Sequence, residues 1–164
     1  MRVRILLSAL LLLSLPAGAQ PAPPPMKLFT AGADIPGLIA KAKAAQKSPT
    51  VNSTQPLARF GGTSVLLEYR TGVTPPTVHP GQAELVYVIQ GNATLVTGGK
   101  LIGAGPANPG ATTVSGTSIE GAVVPQKLAK GDYVLVPPDT AHQFQDVQGE
   151  FVIMSVHMIV PENK

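Results

Sequence analysis

Two stretches of this chain decide its fold, because each joins a run of strand-forming residues to a histidine. Residues 77–91 read TVHPGQAELVYVIQG, and residues 131–146 read GDYVLVPPDTAHQFQD. In the first stretch, the unbroken apolar run from Leu85 to Ile89 predicts a central strand with both faces covered. The carboxylate of Glu84, at the start of that strand, would then need a metal ion or a hydrogen-bond partner.

Short strands are predicted on both sides of these stretches. Residues that favour strands dominate the segments 64–70, 84–90, 93–96, 133–136, 142–146 and 151–160. Gly91-Asn92 predicts a hairpin turn after the second segment, and Gln148-Gly149 predicts a turn before the last. Residues 103–117, rich in small and polar residues, are predicted as a long surface loop. Many short strands without alternating helices predict an all-β sandwich or barrel.

The composition narrows the chemistry that the chain can use. Its 164 residues include 17 Gly, 17 Pro, three His and no Cys. That length fits one domain, and the many Gly and Pro residues favour turns between strands over long helices. The absence of cysteine excludes disulfides, thiolate metal sites and a cysteine nucleophile. A metal ion would therefore have to rest on histidine and carboxylate groups.

The first 19 residues have the pattern of a secretory signal peptide. Two arginines precede an apolar run over residues 5–15, and small residues at 17–19 form a cleavage site. The apolar run is shorter than the roughly 20 residues that span a bilayer, so we expect no stable membrane insertion after cleavage. These features predict a periplasmic or secreted protein.

The charge of the mature chain argues against a nucleic-acid partner. The formal net charge is +3 at pH 7, but two of the twelve basic residues, Arg2 and Arg4, lie in the predicted signal. Ten basic and nine acidic residues remain, with no basic cluster, so nucleic-acid binding is not expected. We expect a small-molecule ligand or substrate as the partner.

One helix is predicted before the strands. Residues 20–32 form a flexible Pro-rich arm, after which Asp34 and Pro36 have the order of an N-cap and a first-turn proline. Apolar residues then recur on one face of a helix of about 12 residues. They are Ile35, Leu38, Ile39, Ala42 and Ala45. We expect this helix to belong to a single domain that spans residues 33–164.

The stretch 77–91 resembles the first sequence motif of the cupin superfamily. That motif is a His-any-His pair, three or four residues, a Glu, six residues and a Gly. His79 stands in the place of the second His, and Glu84 and Gly91 match the remaining spacing. Thr77 stands where the family has its first His, which is the main departure from the pattern.

The stretch 131–146 resembles the second cupin motif, in which Gly, Pro, Gly, His and Asn follow at fixed spacing. Gly131, Pro137 and His142 match it. Asp139 replaces the turn Gly and Asp146 replaces the Asn, and both are exchanges to residues that turns tolerate. The resemblance implies an all-β, double-stranded β-helix, or jelly-roll barrel, with one short N-terminal helix.

The resemblance also implies a divalent transition metal inside the barrel, with His79, Glu84 and His142 as its ligands. Two imidazoles and one carboxylate suit Mn, Fe, Zn, Ni or Cu. Thr77 takes the position of the missing fourth ligand, and its hydroxyl is a poor substitute for imidazole. The site then works with three protein ligands plus water, holds metal more weakly, or is empty.

Two further polar residues are candidates for the same pocket. If the chain turns back around residues 148–149, positions 142 and 155 lie opposite each other, and His157 shares the interior face of His142. His157 is then a candidate fourth ligand, acid–base catalyst or substrate contact. Gln82 is a candidate pocket residue because it lies two positions before the predicted carboxylate ligand.

Two functions are compatible with these residues. In the first, an exported single-domain cupin binds a divalent metal and acts on a small organic molecule, as an oxygenase, isomerase or lyase. In the second, the chain binds a sugar, an aromatic molecule or another small ligand without turnover, and its metal site is degenerate or empty. The resemblance further implies a homodimer, since dimers are common among cupins.

Overall fold

A computed structural model describes residues 25–61, 63–105 and 111–161. The signal peptide predicted over residues 1–19 and the start of the predicted arm lie outside the described residues. Within the described ranges, a 3-10 turn at Gly32–Asp34 leads into helix α1 (Ile35–Ala45). The strands that follow are β1 (Ser53–Phe60), β2 (Thr63–Arg70), β3 (Thr77–Val78), β4 (Gln82–Ile102), β5 (Val114–Ser115), β6 (Ser118–Ala129), β7 (Tyr133–Val136) and β8 (His142–Ile159). No helix among these residues is long and apolar enough to cross a membrane.

The long strands β4 and β8 form the frame of the molecule. They pair antiparallel from Gln82 opposite Ile159 to Thr97 opposite His142. Strand β8 also pairs with β2, which pairs with β1, while β4 pairs with β6 and β7. The short strands β3 and β5 extend the sheet beside the start of β8. This antiparallel architecture with one short helix confirms the predicted all-β, jelly-roll class.

Both turns predicted inside these long strands are wrong. Gly91-Asn92 and Gln148-Gly149 lie within continuous strands, at irregularities where the register of β4 against β8 shifts. Gly91 has a φ of 82°, and a Cβ there would come within 2.2 Å of the Glu150 carbonyl oxygen. Bulges and tight hairpin turns both use positive φ, so the local sequence does not distinguish them. The strands bend at these points instead of ending.

Helix α1 covers the outer face of the sheet. Its apolar residues pack on a cluster formed with β1, β2 and β8, as their spacing predicts. The contacting residues are Ile35, Leu38, Ile39 and Ala42 on α1, and Leu57, Leu67, Tyr69 and Val152 on the strands. Asp34 stands at the N-cap position with Pro36 in the first turn, as predicted, although the Asp34 side chain makes no capping hydrogen bond.

The end of the predicted arm lies against β1. Lys27 and Arg59 exchange two backbone hydrogen bonds, of 2.9 and 2.6 Å. The hydroxyl of Thr30 donates a hydrogen bond to the Leu57 carbonyl oxygen. The sheet edge therefore holds residues 27–30 in place.

The barrel interior has an apolar part and a polar part. The first, called here the apolar cluster, comprises Val86, Val88, Ala93, Leu95, Leu128, Val136, Phe144, Phe151 and Ile153. The buried polar residues include Glu68, Arg70, His79, Glu84, His142 and Ser155. Alternation along β2 explains part of this division. Because Leu67 and Tyr69 face α1, Glu68 and Arg70 face the interior.

Candidate metal centre

The carboxylate of Glu84 lies at the centre of a group of histidines. Glu84 stands on β4 between His157 of β8 and Val136 of β7, and its side chain is 4% exposed. Its Oε2 lies 3.1 Å from His142 Nε2 and 3.6 Å from His79 Nε2. Its Oε1 lies 3.5 Å from His157 Nε2. We call these four residues the His–Glu cluster.

Backbone carbonyls set the orientation of two of the imidazoles. The Nδ1 of His79 lies 3.0 Å from the Thr112 carbonyl oxygen and 3.1 Å from the Thr113 hydroxyl. The Nδ1 of His142 lies 3.0 Å from the Thr140 carbonyl oxygen. A carbonyl oxygen only accepts hydrogen bonds, so in both rings Nδ1 carries the proton. The lone pair at Nε2 then faces Glu84, as in histidines that ligate metals.

Two buried atoms of the cluster lack hydrogen-bond partners within the described ranges. They are Glu84 Oε2 and His157 Nε2, both close to other polar atoms but without hydrogen-bond geometry. His79, Glu84 and His157 each offer a ligand atom within 4.8 Å of the other two. Burying polar atoms without partners is costly, and a cation between them would satisfy both. The donors, imidazole nitrogens and one carboxylate, fit a divalent transition metal.

The electrostatics favour an ionised Glu84 and a neutral His79, and they favour the protonated form of His157. Burial raises the pKa of Glu84, but contacts with His142 and His157 outweigh burial, so the pKa lies well below its ordinary value. Burial, reinforced by the nearby His157, lowers the pKa of His79. Contact with Glu84 raises the pKa of His157 against the effect of burial. Around neutral pH the cluster therefore contains an ionised carboxylate beside a neutral His79.

The structure brings the predicted site residues together, but His157 reaches the site through a strand pairing that differs from the predicted one. His79, Glu84 and His142 meet inside the barrel, where their role as ligands stays a prediction. The predicted pairing of positions 142 and 155 is wrong, because His142 faces Thr77 of β3 and Thr97 of β4. His157 still joins the cluster, since it lies directly across from Glu84 on the neighbouring strand.

The two remaining predicted residues lie at the borders of the cluster. Thr77 is half-buried, and its Oγ1 lies 3.1 Å from His142 Nε2. Gln82 lines a cavity of about 180 Å³ together with Thr112 and His157. The Gln82 Oε1 is buried and has no hydrogen-bond partner among the residues that the structure describes. Thr77 thus borders the cluster beside His142, and Gln82 borders it beside His157.

A second buried polar group beside the cluster was missed by sequence reasoning. The guanidinium of Arg70 donates a 2.6 Å hydrogen bond to Glu68 Oε2, and Asn52 Nδ2 donates one of 2.9 Å to the same oxygen. The hydroxyl of Ser155 donates to Glu68 Oε1. The signal was present in the sequence, because two charged residues alternate with apolar ones in a segment predicted as a strand.

The contacts that Thr112 and Thr113 make with His79 were also missed. They lie in the segment 103–117, which was predicted as a surface loop between strands. Part of that segment pairs as β5 with β3, where Val114 faces Val78. This pairing brings the two threonines, which are themselves exposed, within hydrogen-bond distance of His79. No local pattern in the segment indicates it.

Comparison with known proteins agrees with this architecture. A family model described as Cupin matches residues 33–163, which is most of the chain. A crystal structure of hydroquinone 1,2-dioxygenase PnpCD, in complex with Cd2+ and 4-hydroxybenzonitrile, is similar with a TM-score of 0.56 at 19% sequence identity. The similarity covers 75% of this chain and 72% of that chain. At this identity it shows the fold alone.

Two other solved structures are more distant. A protein from Klebsiella pneumoniae with a double-stranded β-helix domain has a TM-score of 0.49 at 14% identity, covering 74% of this chain and 86% of that one. The Co(II) form of HppE in complex with Tris has a TM-score of 0.46 at 13% identity, covering 65% and 53%. No curated protein sequence matches the chain.

Proposed function

Because the chain belongs to the cupin family, we propose that it holds one divalent transition-metal ion in the His–Glu cluster and acts on a small organic molecule in the periplasm or outside the cell. One observation carries the proposal. The buried Glu84 carboxylate has three imidazole Nε2 atoms within 3.1–3.6 Å, yet its Oε2 has no hydrogen-bond partner among the described residues. The proposed export depends on residues 1–19 alone.

Each of the four residues of the His–Glu cluster contributes differently to binding the ion. Glu84 supplies a negative charge, and the Nε2 atoms of His79 and His142 supply lone pairs whose direction the Nδ1 contacts fix. We assign His157 the place of the ligand that Thr77 cannot supply, because its Nε2 is buried and without a partner in the described structure. A bound divalent metal acts as a Lewis acid and leaves coordination positions for a substrate oxygen or for oxygen itself.

Metal analysis of protein purified without an affinity tag or chelator tests this proposal. The wild type is expected to retain stoichiometric metal by mass spectrometry, and His79→Ala and His142→Ala are expected to lose most of it. Gln148→Ala, at an exposed position of β8 outside the cluster, is the matched control. Equal metal content in the wild type and both histidine variants would overturn the proposal.

A ligand-binding protein without turnover is the second candidate, and one contact favours it. The Thr77 hydroxyl lies 3.1 Å from His142 Nε2, so it can donate a hydrogen bond to the lone pair that a metal would need. A site weakened in this way would bind a sugar or an aromatic molecule with little or no metal. Oxygen-uptake and isomerisation screens against small phenols, diketones and sugars separate the candidates, since only an enzyme consumes its ligand.

A further inference from the structure

A partly open cavity of about 230 Å³ adjoins the His–Glu cluster. Thr77 and His142 line it on the side of the cluster, and Arg70 and Phe144 line it farther away. Its volume is below the roughly 300 Å³ at which pockets for drug-sized ligands begin, so it fits a small molecule. None of the lining residues in the described ranges is acidic. The cavity therefore offers positive charge without a carboxylate of its own.

The guanidinium of Arg70 is held rigidly in the wall of this cavity. The residue is 7% exposed, its Nη1 is bonded to Glu68, and its guanidinium carbon lies 4.8 Å from the centre of the Phe144 ring. The Arg70 Nε is buried and has no hydrogen-bond partner in the part of the chain that the structure describes. A buried arginine donor without a partner is costly, and an oxygen of a bound ligand would satisfy it.

The sum of the buried charges indicates the sign of the charge that the ligand carries. Glu68 and Glu84 each contribute one negative charge, and Arg70 contributes one positive charge. A divalent ion in the His–Glu cluster leaves one positive charge uncompensated. Buried charges persist in proteins when they are paired, so one further anionic group is expected in the adjoining space.

We propose that this cavity binds a small monocarboxylate with an apolar body, whose carboxylate contacts Arg70 while the molecule lies against Thr77 and His142. Arginine suits this role because its planar fork matches a carboxylate. Val51, Pro75 and Phe144 supply an apolar wall for the rest of the ligand. This proposal deepens the proposed function, since the bound metal supplies the second attraction for the anion.

Isothermal titration calorimetry with benzoate and with benzamide, its neutral analogue, tests the proposal on Zn(II)-loaded and metal-free protein. Benzoate is expected to bind more tightly than benzamide to the metal-loaded protein, and this preference is expected to be smaller without metal, where the buried charges sum to −1. The preference is expected to depend on Arg70.

Three variants measure how strongly benzoate binding depends on Arg70. Arg70→Gln alone would leave Glu68 buried without its partner and can fail to fold, so the test uses the pair Glu68→Gln/Arg70→Gln, which buries no unpaired charge. This pair is expected to weaken benzoate binding by about tenfold or more, because it removes a charge-assisted contact. Glu68→Gln alone, where it folds, is expected to tighten benzoate binding, because it leaves the charge of Arg70 unbalanced. Arg59→Gln on β1, outside the cavity lining, is the control for loss of one positive charge.

The outcomes separate the two proposals. Equal affinities for benzoate and benzamide, or equal weakening by Arg59→Gln and by the double variant, would overturn the carboxylate site. A chain that retains no metal but binds benzoate through Arg70 would overturn the proposed function and leave the carboxylate site standing.

Discussion

The apolar cluster and the His–Glu cluster occupy the same barrel and are built from the same two strands. On β4, Glu84 is followed at two-residue spacing by Val86 and Val88, so the interior face changes from a carboxylate to apolar side chains. On β8, the face changes in the opposite order, from Phe151 and Ile153 to Ser155 and His157. From Glu84 opposite His157 to Val88 opposite Ile153 the pairing has no register shift, so along this stretch the difference lies in the side chains alone.

The two regions are stable for different physical reasons. Phe151 and Ile153 are completely buried, and each large apolar side chain contributes about 1.5–3 kcal/mol when removed from water. In the polar region burial destabilises charged side chains, so the stability of the fold depends on each charge having a partner. Glu68 has its partner in Arg70, whereas Glu84 Oε2 has no hydrogen-bond partner among the described residues. The free energy of unfolding should therefore fall when a substitution removes side-chain volume from the apolar region. In the polar region it should fall when a substitution removes a charge.

The largest effect is expected from a cavity in the apolar cluster. Phe151→Ala should lower the free energy of unfolding by about 3–5 kcal/mol, with and without metal, because its contacts do not involve the His–Glu cluster. Urea unfolding followed by circular dichroism measures the change. Phe60→Ala, at a 68% exposed position, is the control and should cost less than about 0.5 kcal/mol. Similar values for the two variants would contradict a tightly packed apolar cluster.

A slightly smaller and pH-dependent effect is expected from the buried ion pair. Burial raises the pKa of Glu68, but Arg70, Ser155 and Asn52 outweigh burial and lower it below its ordinary value. At pH 7, Glu68→Gln should cost about 3 kcal/mol, because Arg70 loses its partner. The stabilisation by the wild-type carboxylate is complete above its ordinary pKa near 4.5 and is lost as pH falls through the lowered value.

The difference in unfolding free energy between Glu68→Gln and the wild type should therefore narrow in acid. Urea titrations between pH 7 and pH 3 measure it. Gln55→Glu, which adds a half-buried charge on the neighbouring strand without touching the pair, is a comparison for nonspecific charge effects. A difference that stays constant throughout this range would mean that Glu68 is not stabilised in its ionised form.

Removing the charge of Glu84 should reduce the stabilisation that added metal provides. At a metal concentration 100 times the dissociation constant, binding stabilises the wild type by about 2.7 kcal/mol, and Glu84→Gln should lose most of that increment. Without metal, Glu84→Gln should still cost some stability, because it removes the contacts with His142 and His157 that hold the pKa of Glu84 below its ordinary value. Thermal unfolding with and without added Zn(II) tests this contrast. An undiminished increase in Tm with metal would exclude Glu84 as a ligand.

The smallest effect concerns the replacement of one ligand by another. If His157 compensates for Thr77, His157→Ala should weaken metal binding by about tenfold or more, and Thr77→His in the same chain should restore part of it. Competition with a coloured chelator measures both affinities. In the wild-type background Thr77→His is also expected to tighten metal retention. Thr77→Val, which keeps the shape but removes the hydroxyl, distinguishes a gained ligand from a lost hydrogen bond to His142.

Much of the fold and part of the candidate site could be predicted because they depend on short-range patterns. The apolar run after Glu84 indicated a central strand, and β4 indeed pairs with β6, β7 and β8. The two motifs indicated His79, Glu84 and His142, which meet inside the barrel. The predicted turn at Gly91 was wrong because positive φ serves a bulge as well as a turn. The predicted pairing of positions 142 and 155 was wrong because it depended on the other predicted turn, at Gln148-Gly149, which lies within β8.

The sequence by itself indicated the segments that form β2, β4, β7 and β8, the resemblance to cupins, and the histidine and carboxylate groups on which any metal would rest. These properties follow from alternation, spacing and the absence of cysteine, all of which can be read along the chain. Only the tertiary structure decided that His157 faces Glu84, that Thr112 orients His79, and that Arg70 lines a cavity beside them. Such contacts depend on strand register and on how a distant segment pairs, and a shift of one residue turns every side chain to the other face.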